Sequence, residues 1–134
     1  MTDVLIVEDN PVIREMLEDW LFLNGYSVTP ADHGRAALEL LESGLRPTVI
    51  LLDLRMPVMD GFEFLERVSH TAFARIPVVI RTSLVDSSEQ YLQLPARYGC
   101  QIIEQGGGLL PVLGRIEEHC GPRRGVVARA LPGA

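Results

Sequence analysis

The chain has 134 residues, of which 47% are hydrophobic and 22% are charged. This length suits one domain with a buried core and is too short for a two-domain enzyme. The formal net charge of −6 disfavours binding to the phosphates of nucleic acids. All twelve basic residues are arginines, so mechanisms that need a lysine, such as a Walker A loop or a Schiff base, are excluded.

The sequence has no apolar run of about 20 residues, the length that spans a bilayer. Residues 1–7 lack the cationic start and cleavage site of a signal peptide. We therefore expect a cytoplasmic protein without a membrane segment. Cys100 and Cys120 lie far apart and do not group with His33, His70 or His119, which predicts two mostly buried thiols and no zinc site.

Short runs of branched aliphatic residues predict strands that helices cover on both faces. The predicted strands span residues 4–7, 27–29, 48–52, 77–80 and 101–104.

Helical spacing of apolar residues predicts a helix after each strand. The first starts at Asn10-Pro11 and stops at Asn24-Gly25, and the second covers residues 33–43 with Asp32 as its cap. The third covers 60–70. A fourth covers 86–98, and Pro95 should kink or break it. Residues 106–108 form a flexible glycine turn, and a final helix over 109–120 follows.

Five β-α repeats predict a doubly wound α/β fold with a parallel five-stranded sheet and helices on both faces. The domain should end near residue 120. The segment 121–134 contains three arginines and no acids, and we expect a disordered basic tail.

Acidic residues follow two of the predicted strands. Glu8 and Asp9 follow the first strand, and Asp53 follows the third. If these strands are neighbours, three carboxylates converge at one edge of the sheet, where their repulsion favours a bound cation such as Mg²⁺. The alternative is that an acid such as Asp9 merely caps the next helix.

An aspartate beside Mg²⁺ can act as a nucleophile toward a phosphoryl group. Asp53 is the better candidate because it stands alone at its strand end. Thr82 ends the fourth strand at the same level, where its hydroxyl could donate to a bound anion, although a threonine finishing a strand is common.

Three segments resemble the receiver domains of response regulators, the partners of histidine kinases in two-component signalling. Residues 51–61 resemble the phosphoacceptor loop, residues 4–10 the first strand with its acidic pair, and residues 76–83 the fourth strand with its switch hydroxyl. The resemblance covers roughly residues 2–120. It implies a flavodoxin-like strand order of 2-1-3-4-5.

The resemblance also implies a role for each matching residue. Asp53 would accept phosphate from a kinase or phosphotransfer protein. Glu8, Asp9, Asp53 and the backbone carbonyl of Arg55 would hold Mg²⁺. Thr82 would be the switch hydroxyl, and a downstream protein would bind the face formed by the fourth helix, fifth strand and final helix. A second copy of the chain is a further candidate partner.

The sequence departs from the family pattern after the fifth strand. Gln105 and Gly106 align with the family's Lys-Pro pair, and Ile102 aligns with its usual aromatic residue. A neutral glutamine cannot make the charge-assisted contact of an ammonium group, which contributes about 1.5–3 kcal/mol.

Arg81 replaces an apolar residue of the family pattern, and Arg55 lies two residues after Asp53. Either arginine could supply the missing charge, or could pair with an acid and hold the site closed. The plainest interpretation of Arg81 is a solvated side chain.

Three functions follow from these features. The favoured one is a stand-alone receiver, a phosphoacceptor rather than an enzyme, which switches a protein-interaction surface. The second is a receiver-fold module that signals without phosphate. The third, a Mg²⁺-dependent phosphatase, is disfavoured because Arg55 occupies the position of its second aspartate. The expected interaction face runs from the fourth to the final helix and includes Tyr91, Leu92, Leu94 and Tyr98. Ordinary packing is the alternative for these residues, and we expect at least Leu92 to lie in the core.

Overall fold

The computed structural model describes residues 1–83 and 88–124. Its five strands are β1 Val4–Val7, β2 Val28–Ala31, β3 Val49–Leu52, β4 Val78–Thr82 and β5 Gln101–Glu104. Its helices are α1 Pro11–Leu23, α2 Gly34–Glu42, α3 Gly61–Ser69, α4 Glu89–Leu92, α5 Leu94–Tyr98 and α6 Leu110–Cys120, with 3-10 helices at Ala72–Arg75 and Gln105–Gly107.

The strands form one parallel sheet in the order β2-β1-β3-β4-β5. Both the predicted fold class and the predicted strand order are confirmed. Strand β2 runs to Ala31 and includes Pro30. Proline is tolerated there because β2 is an edge strand, which among the described strands pairs with β1 alone.

Alternate strand residues point to opposite faces of the sheet, so the core has two halves. One half joins Leu5, Ile50 and Ile80 to helices α2 and α3. The other joins Ile6, Leu51 and Val79 to helices α1 and α6. Since β1 and β3 are buried on both faces, their positions at the centre of the sheet are fixed, and so are the positions of the residues that follow them.

Helix α1 starts as predicted, because the Asn10 side chain accepts hydrogen bonds from the backbone N–H groups of Val12 and Ile13. The predicted cap of α2 was wrong. His33 caps this helix, its Nδ1 accepting from the N–H of Ala36 at 3.1 Å, whereas Asp32 lies one residue too early. The start is set by packing: a Cβ on Gly34 would lie 2.6 Å from the carbonyl oxygen of Met59.

The predicted break in the fourth helix is confirmed. Helix α4 ends at Leu92 and α5 begins at Leu94, with Pro95 in its first turn. Proline lacks the N–H that a continuous helix requires, so it is accommodated at the start of a new helix. The predicted start at residue 86 lies outside the described residues.

The segment after α6 packs against the amino edge of the sheet, unlike the disordered tail predicted from residue 121. The guanidinium of Arg123 donates to both carboxylate oxygens of Asp3, at 3.0 and 3.1 Å. The hydroxyl of Tyr26 donates to the carbonyl of Gly121 at 2.8 Å. We call these contacts the C-terminal clamp. Residues 125–134 of the predicted tail lie outside the described residues.

Burial would raise the pKa of Asp3, but hydrogen bonds from Ser27 and Arg123 outweigh it and lower the pKa. The clamp thus holds a buried carboxylate in its charged form. Sequence alone gave no signal for it, because its two halves lie at opposite ends of the chain.

Candidate functional site

Three carboxylates meet where β1 and β3 end. Val7 and Leu52 are level in neighbouring strands, so the following residues, Glu8 and Asp53, are level too. One carboxylate oxygen from each of Glu8, Asp9 and Asp53 lies within 4.8 Å of the others. The structure therefore brings together the three predicted acids, which we call the acidic site.

The three carboxylates differ in their exposure to water. Glu8 is 4% exposed, Asp53 is half-buried and Asp9 is exposed. Burial, together with the charges of Asp53 and Asp9, raises the pKa of Glu8 to about 7, against a hydrogen bond from Asn10 that lowers it. Burial, with the charge of Asp9, also raises the pKa of Asp53. Both pKa values are raised because the carboxylates are desolvated and repel one another, and a bound cation would offset both effects.

Helix α1 holds the acidic pair in place. The N–H of Asn10 donates to Oε2 of Glu8 at 3.1 Å. Nη1 of Arg14 donates to the backbone carbonyls of Glu8 and Asp9, at 2.9 and 3.4 Å. Sequence reasoning missed Arg14. Its signal was its place one helical turn after the cap Asn10, which points it back toward the strand end.

The loop after β3 folds back over Asp53. The backbone N–H of Arg55 donates to Oδ1 of Asp53 at 3.4 Å. At Gly61, an added Cβ would lie 2.8 Å from the carbonyl oxygen of Asp53 and from Cα of Leu54. Only glycine allows α3 to approach the Asp53 backbone this closely.

Val58 has a φ of 68°, the one positive value outside glycine among the described residues. The N–H of Met59 donates to the carbonyl of Pro57 at 2.7 Å, which closes a three-residue γ-turn about Val58. The turn places the Met59 side chain in the core and its carbonyl against the N–H of Gly34. A β-branched residue is strained in this region, so the packing of Met59 maintains the turn.

Asp9, residues 54–57, Asp60 and Phe62 line an open depression of about 590 Å³. Asp60 accepts from the N–H of Glu63 at 2.9 Å and so caps α3. The Arg55 side chain is exposed beside this depression, and in residues 1–83 and 88–124 it forms no ion pair with the acidic site within 4.0 Å.

The remaining predicted residues lie on β4 and after β5. Thr82 is the last residue of β4 and is 1% exposed. Gln105 begins the 3-10 helix after β5, and its half-buried side chain forms no hydrogen bond with the acidic site within the described part of the chain. Residues 105–108 are called the glycine loop below.

Arg81 lies in β4, level with Asp53, because Leu52 pairs with Ile80. Its guanidinium forms no ion pair with Glu8, Asp9 or Asp53 within 4.0 Å among the described residues, so the structure lacks the closing pair that was one of the alternatives for Arg81. Two of its three guanidinium nitrogens, Nε and Nη1, are buried, and the residue as a whole is half-buried.

Comparison with known proteins agrees with this geometry. The family model of the response regulator receiver domain matches residues 4–101. The chain belongs to the response regulator receiver family. Receiver domains act in two-component phosphorelay signalling.

A curated relative is the response regulator MprA of Mycolicibacterium vanbaalenii, 38% identical over 93 residues. The match covers 69% of this chain but 39% of MprA, so the receiver chain spans about two fifths of that relative's length.

Two solved structures resemble this receiver closely. The chemotaxis protein CheY4 of Vibrio cholerae has a TM-score of 0.72 and 32% identity, covering 87% of this chain and 98% of that one. The receiver domain of the sensor histidine kinase PA1611 of Pseudomonas aeruginosa has a TM-score of 0.77 and 26% identity, covering 90% and 98%. The PA1611 structure has a magnesium ion coordinated in its active-site cleft.

The residues predicted for an interaction face lie on helices α4 and α5. Leu92 is 64% exposed, so its expected place in the core was wrong, whereas Leu94 is 1% exposed and packs in the core. The break at Gln93 shifts the helical phase, which turns Leu92 outward and Leu94 into the core. Tyr98 is half-buried, and its hydroxyl donates to Glu66 of α3 at 2.6 Å.

Cys100 and Cys120 are free thiols, one buried and the other half-buried, as predicted. In the described ranges, the acidic site is the one group of three or more potential metal-ligating side chains. None of the helices described is long and apolar enough to cross a bilayer.

Proposed function

We propose that this receiver accepts a phosphoryl group on Asp53 from a phosphohistidine of a kinase or phosphotransfer protein, with Mg²⁺ bound at the acidic site. The convergence of Glu8, Asp9 and Asp53 within 4.8 Å is the observation that carries the proposal. In the transfer, a carboxylate oxygen of Asp53 bonds to phosphorus as the bond between phosphorus and the histidine nitrogen breaks. The electron pair of that bond stays with the imidazole.

The donor set suits Mg²⁺, which prefers hard oxygen ligands and retains several waters. Glu8, Asp9, Asp53 and the backbone carbonyl of Arg55 would hold the ion. When bound, Mg²⁺ neutralises charge on the phosphoryl oxygens. Asn10 and Arg14 contribute by fixing the acidic pair, and the loop after β3 by holding Asp53 at the edge of the sheet.

In this proposal the chain is a signalling phosphoacceptor, not an enzyme with a separate substrate, and it works in the cytoplasm. Thr82 acts as the switch hydroxyl after phosphorylation. The surface of α4, α5, β5 and α6, which we call the output face, then changes its affinity for a downstream protein or a second copy of the chain.

The test uses acetyl phosphate as donor with Mg²⁺ and intact-mass measurement. The wild type should gain the mass of one phosphoryl group, and Asp53→Asn should gain none. Asp32→Asn is the matched control, because it removes an exposed acid after the neighbouring strand β2 and should label like the wild type. A wild type that stays unlabelled, or a label that persists in Asp53→Asn, contradicts the proposal.

A second candidate, a receiver-fold module that signals without phosphate, is favoured by one observation: the Gln105 side chain makes no hydrogen bond to the acidic site within the described residues. This function predicts that a downstream protein binds Asp53→Asn and wild type with equal affinity in the presence of the phosphodonor. Binding that depends on Asp53 would exclude it.

A further inference from the structure

Arg81 lies next to the proposed phosphoacceptor in the sheet. The pairing of Leu52 with Ile80 makes Asp53 and Arg81 level on adjacent strands, which are about 4.8 Å apart. Alternation places Arg81 on the same face as Val79, and Asp53 on the same face as Leu51. Val79 and Leu51 belong to one half of the core, so Arg81 and Asp53 share a face.

The Arg81 guanidinium has donors without acceptors. Nε and Nη1 are buried, and within residues 1–83 and 88–124 neither forms a hydrogen bond. A buried donor that lacks an acceptor is costly, and guanidinium donors match the oxygens of a phosphoryl group. The arrangement therefore favours an anion that arrives at this place.

The other positive groups near the acidic site are less suited to this role. Arg14 already donates to the carbonyls of Glu8 and Asp9. The Arg55 side chain is exposed. The chain has no lysine, and the glutamine after β5 is neutral.

We propose that Arg81 binds the phosphoryl group on Asp53 and supplies the positive charge that lysine-containing receivers obtain from another strand. This inference rests on the proposed phosphorylation of Asp53. The phosphoryl oxygens accept from the guanidinium, which lowers the free energy of the charged transition state as well as that of the aspartyl phosphate. Arg81 is thus a phosphoryl-binding residue, supplied by β4.

The experiment compares Arg81→Met with Arg75→Met. Both remove one arginine charge near β4, but Arg75 is exposed and precedes the opposite end of the strand. Each variant is treated with acetyl phosphate and Mg²⁺, and the labelling rate is followed by intact mass. Arg81→Met should label about 10- to 100-fold more slowly than the wild type, the loss expected for one charge-assisted hydrogen bond. Arg75→Met should label at the wild-type rate. Arg81→Lys should label faster than Arg81→Met but more slowly than the wild type.

A second measurement separates phosphoryl binding from a structural role. The midpoint of urea unfolding should not fall in Arg81→Met, because methionine fills the same volume without unsatisfied donors. Slow labelling by a variant that is at least as stable as the wild type supports the proposal. Slow labelling that only accompanies a loss of stability contradicts it.

The outcomes also distinguish this inference from the function on which it rests. If the wild type labels at Asp53 and Arg81→Met labels as fast as Arg75→Met, the role of Arg81 is wrong and the proposed function stands. If the wild type gains no phosphoryl group at Asp53, the proposed function fails first. A further experiment measures the binding of inorganic phosphate to the same proteins. If the wild type and Asp53→Asn bind phosphate equally and Arg81→Met does not bind it, Arg81 binds a free anion and not the phosphoryl group on Asp53.

Discussion

The acidic site and the glycine loop lie at the same edge of the sheet and are built in opposite ways. Around the acidic site the backbone is crowded: a Cβ on Gly61 would lie 2.8 Å from the Asp53 carbonyl oxygen. Around the glycine loop it is open, since a Cβ on Gly106 or Gly107 would meet no atom within 4 Å. The crowded region keeps the family's acids, whereas the open one lacks its lysine. Close packing thus coincides with the acids that the chain shares with its family, and open packing with the position where the family's lysine is replaced.

The largest expected effect contrasts the same substitution in the two regions. Gly61→Ala should lower the free energy of unfolding by about 3 kcal/mol, because the new methyl group meets backbone atoms that cannot move aside. Gly106→Ala should change it by less than about 0.5 kcal/mol. Urea unfolding of both variants measures the contrast. Equal losses would show that the acidic site is no more tightly packed than the glycine loop.

An intermediate effect concerns the charge of the acidic site. The folded-state pKa of Glu8 is raised from 4.5 to about 7, so its contribution to stability is full below pH 4.5 and is lost as the pH rises through about 7. Without Mg²⁺, the free energy of unfolding should fall between pH 5 and pH 7.5, on the order of 2 kcal/mol. Added Mg²⁺ should reverse the loss, since it binds the charged form.

Urea unfolding at the two pH values, with chelator and with Mg²⁺, measures this effect. Glu8→Gln should flatten the pH dependence, whereas Glu42→Gln, which neutralises an exposed acid on α2, should leave it unchanged. If the stability of Glu8→Gln depends on pH as strongly as that of the wild type, the repulsion within the acidic site does not affect stability. The contrast with the glycine loop is then only steric.

The smallest expected effect is a gain in stability. Val58→Gly should raise the free energy of unfolding by about 1 kcal/mol, because glycine adopts a φ of 68° without steric cost. Val58→Ala shortens the side chain but keeps a Cβ, so it should raise the free energy of unfolding by less than Val58→Gly does. Thermal unfolding of the two variants tests whether the γ-turn is a strained part of the crowded region. A loss of stability in Val58→Gly would mean that valine is favourable there.

The acidic site was predictable because parallel strands end at the same edge of a sheet: runs of aliphatic residues located the ends of β1 and β3, and Glu8, Asp9 and Asp53 meet there if these strands are neighbours. The family resemblance supplied the strand order. The cap of α2 was not predictable, because the start at Gly34 depends on contact with Met59, which is distant in sequence. The helical phase of Leu92 and Leu94 depended on where the chain breaks, and Pro95 indicated a break without giving its residue.

The C-terminal clamp has a practical consequence for anyone who shortens this chain. The last described helix, α6, ends at Cys120, so a fragment cut there would look complete. Such a fragment would lack Arg123 and would leave the carboxylate of Asp3 buried beside β1 without its counter-ion. Recombinant versions should therefore extend through residue 124, although those last residues lie at the opposite end of the strands from the acidic site.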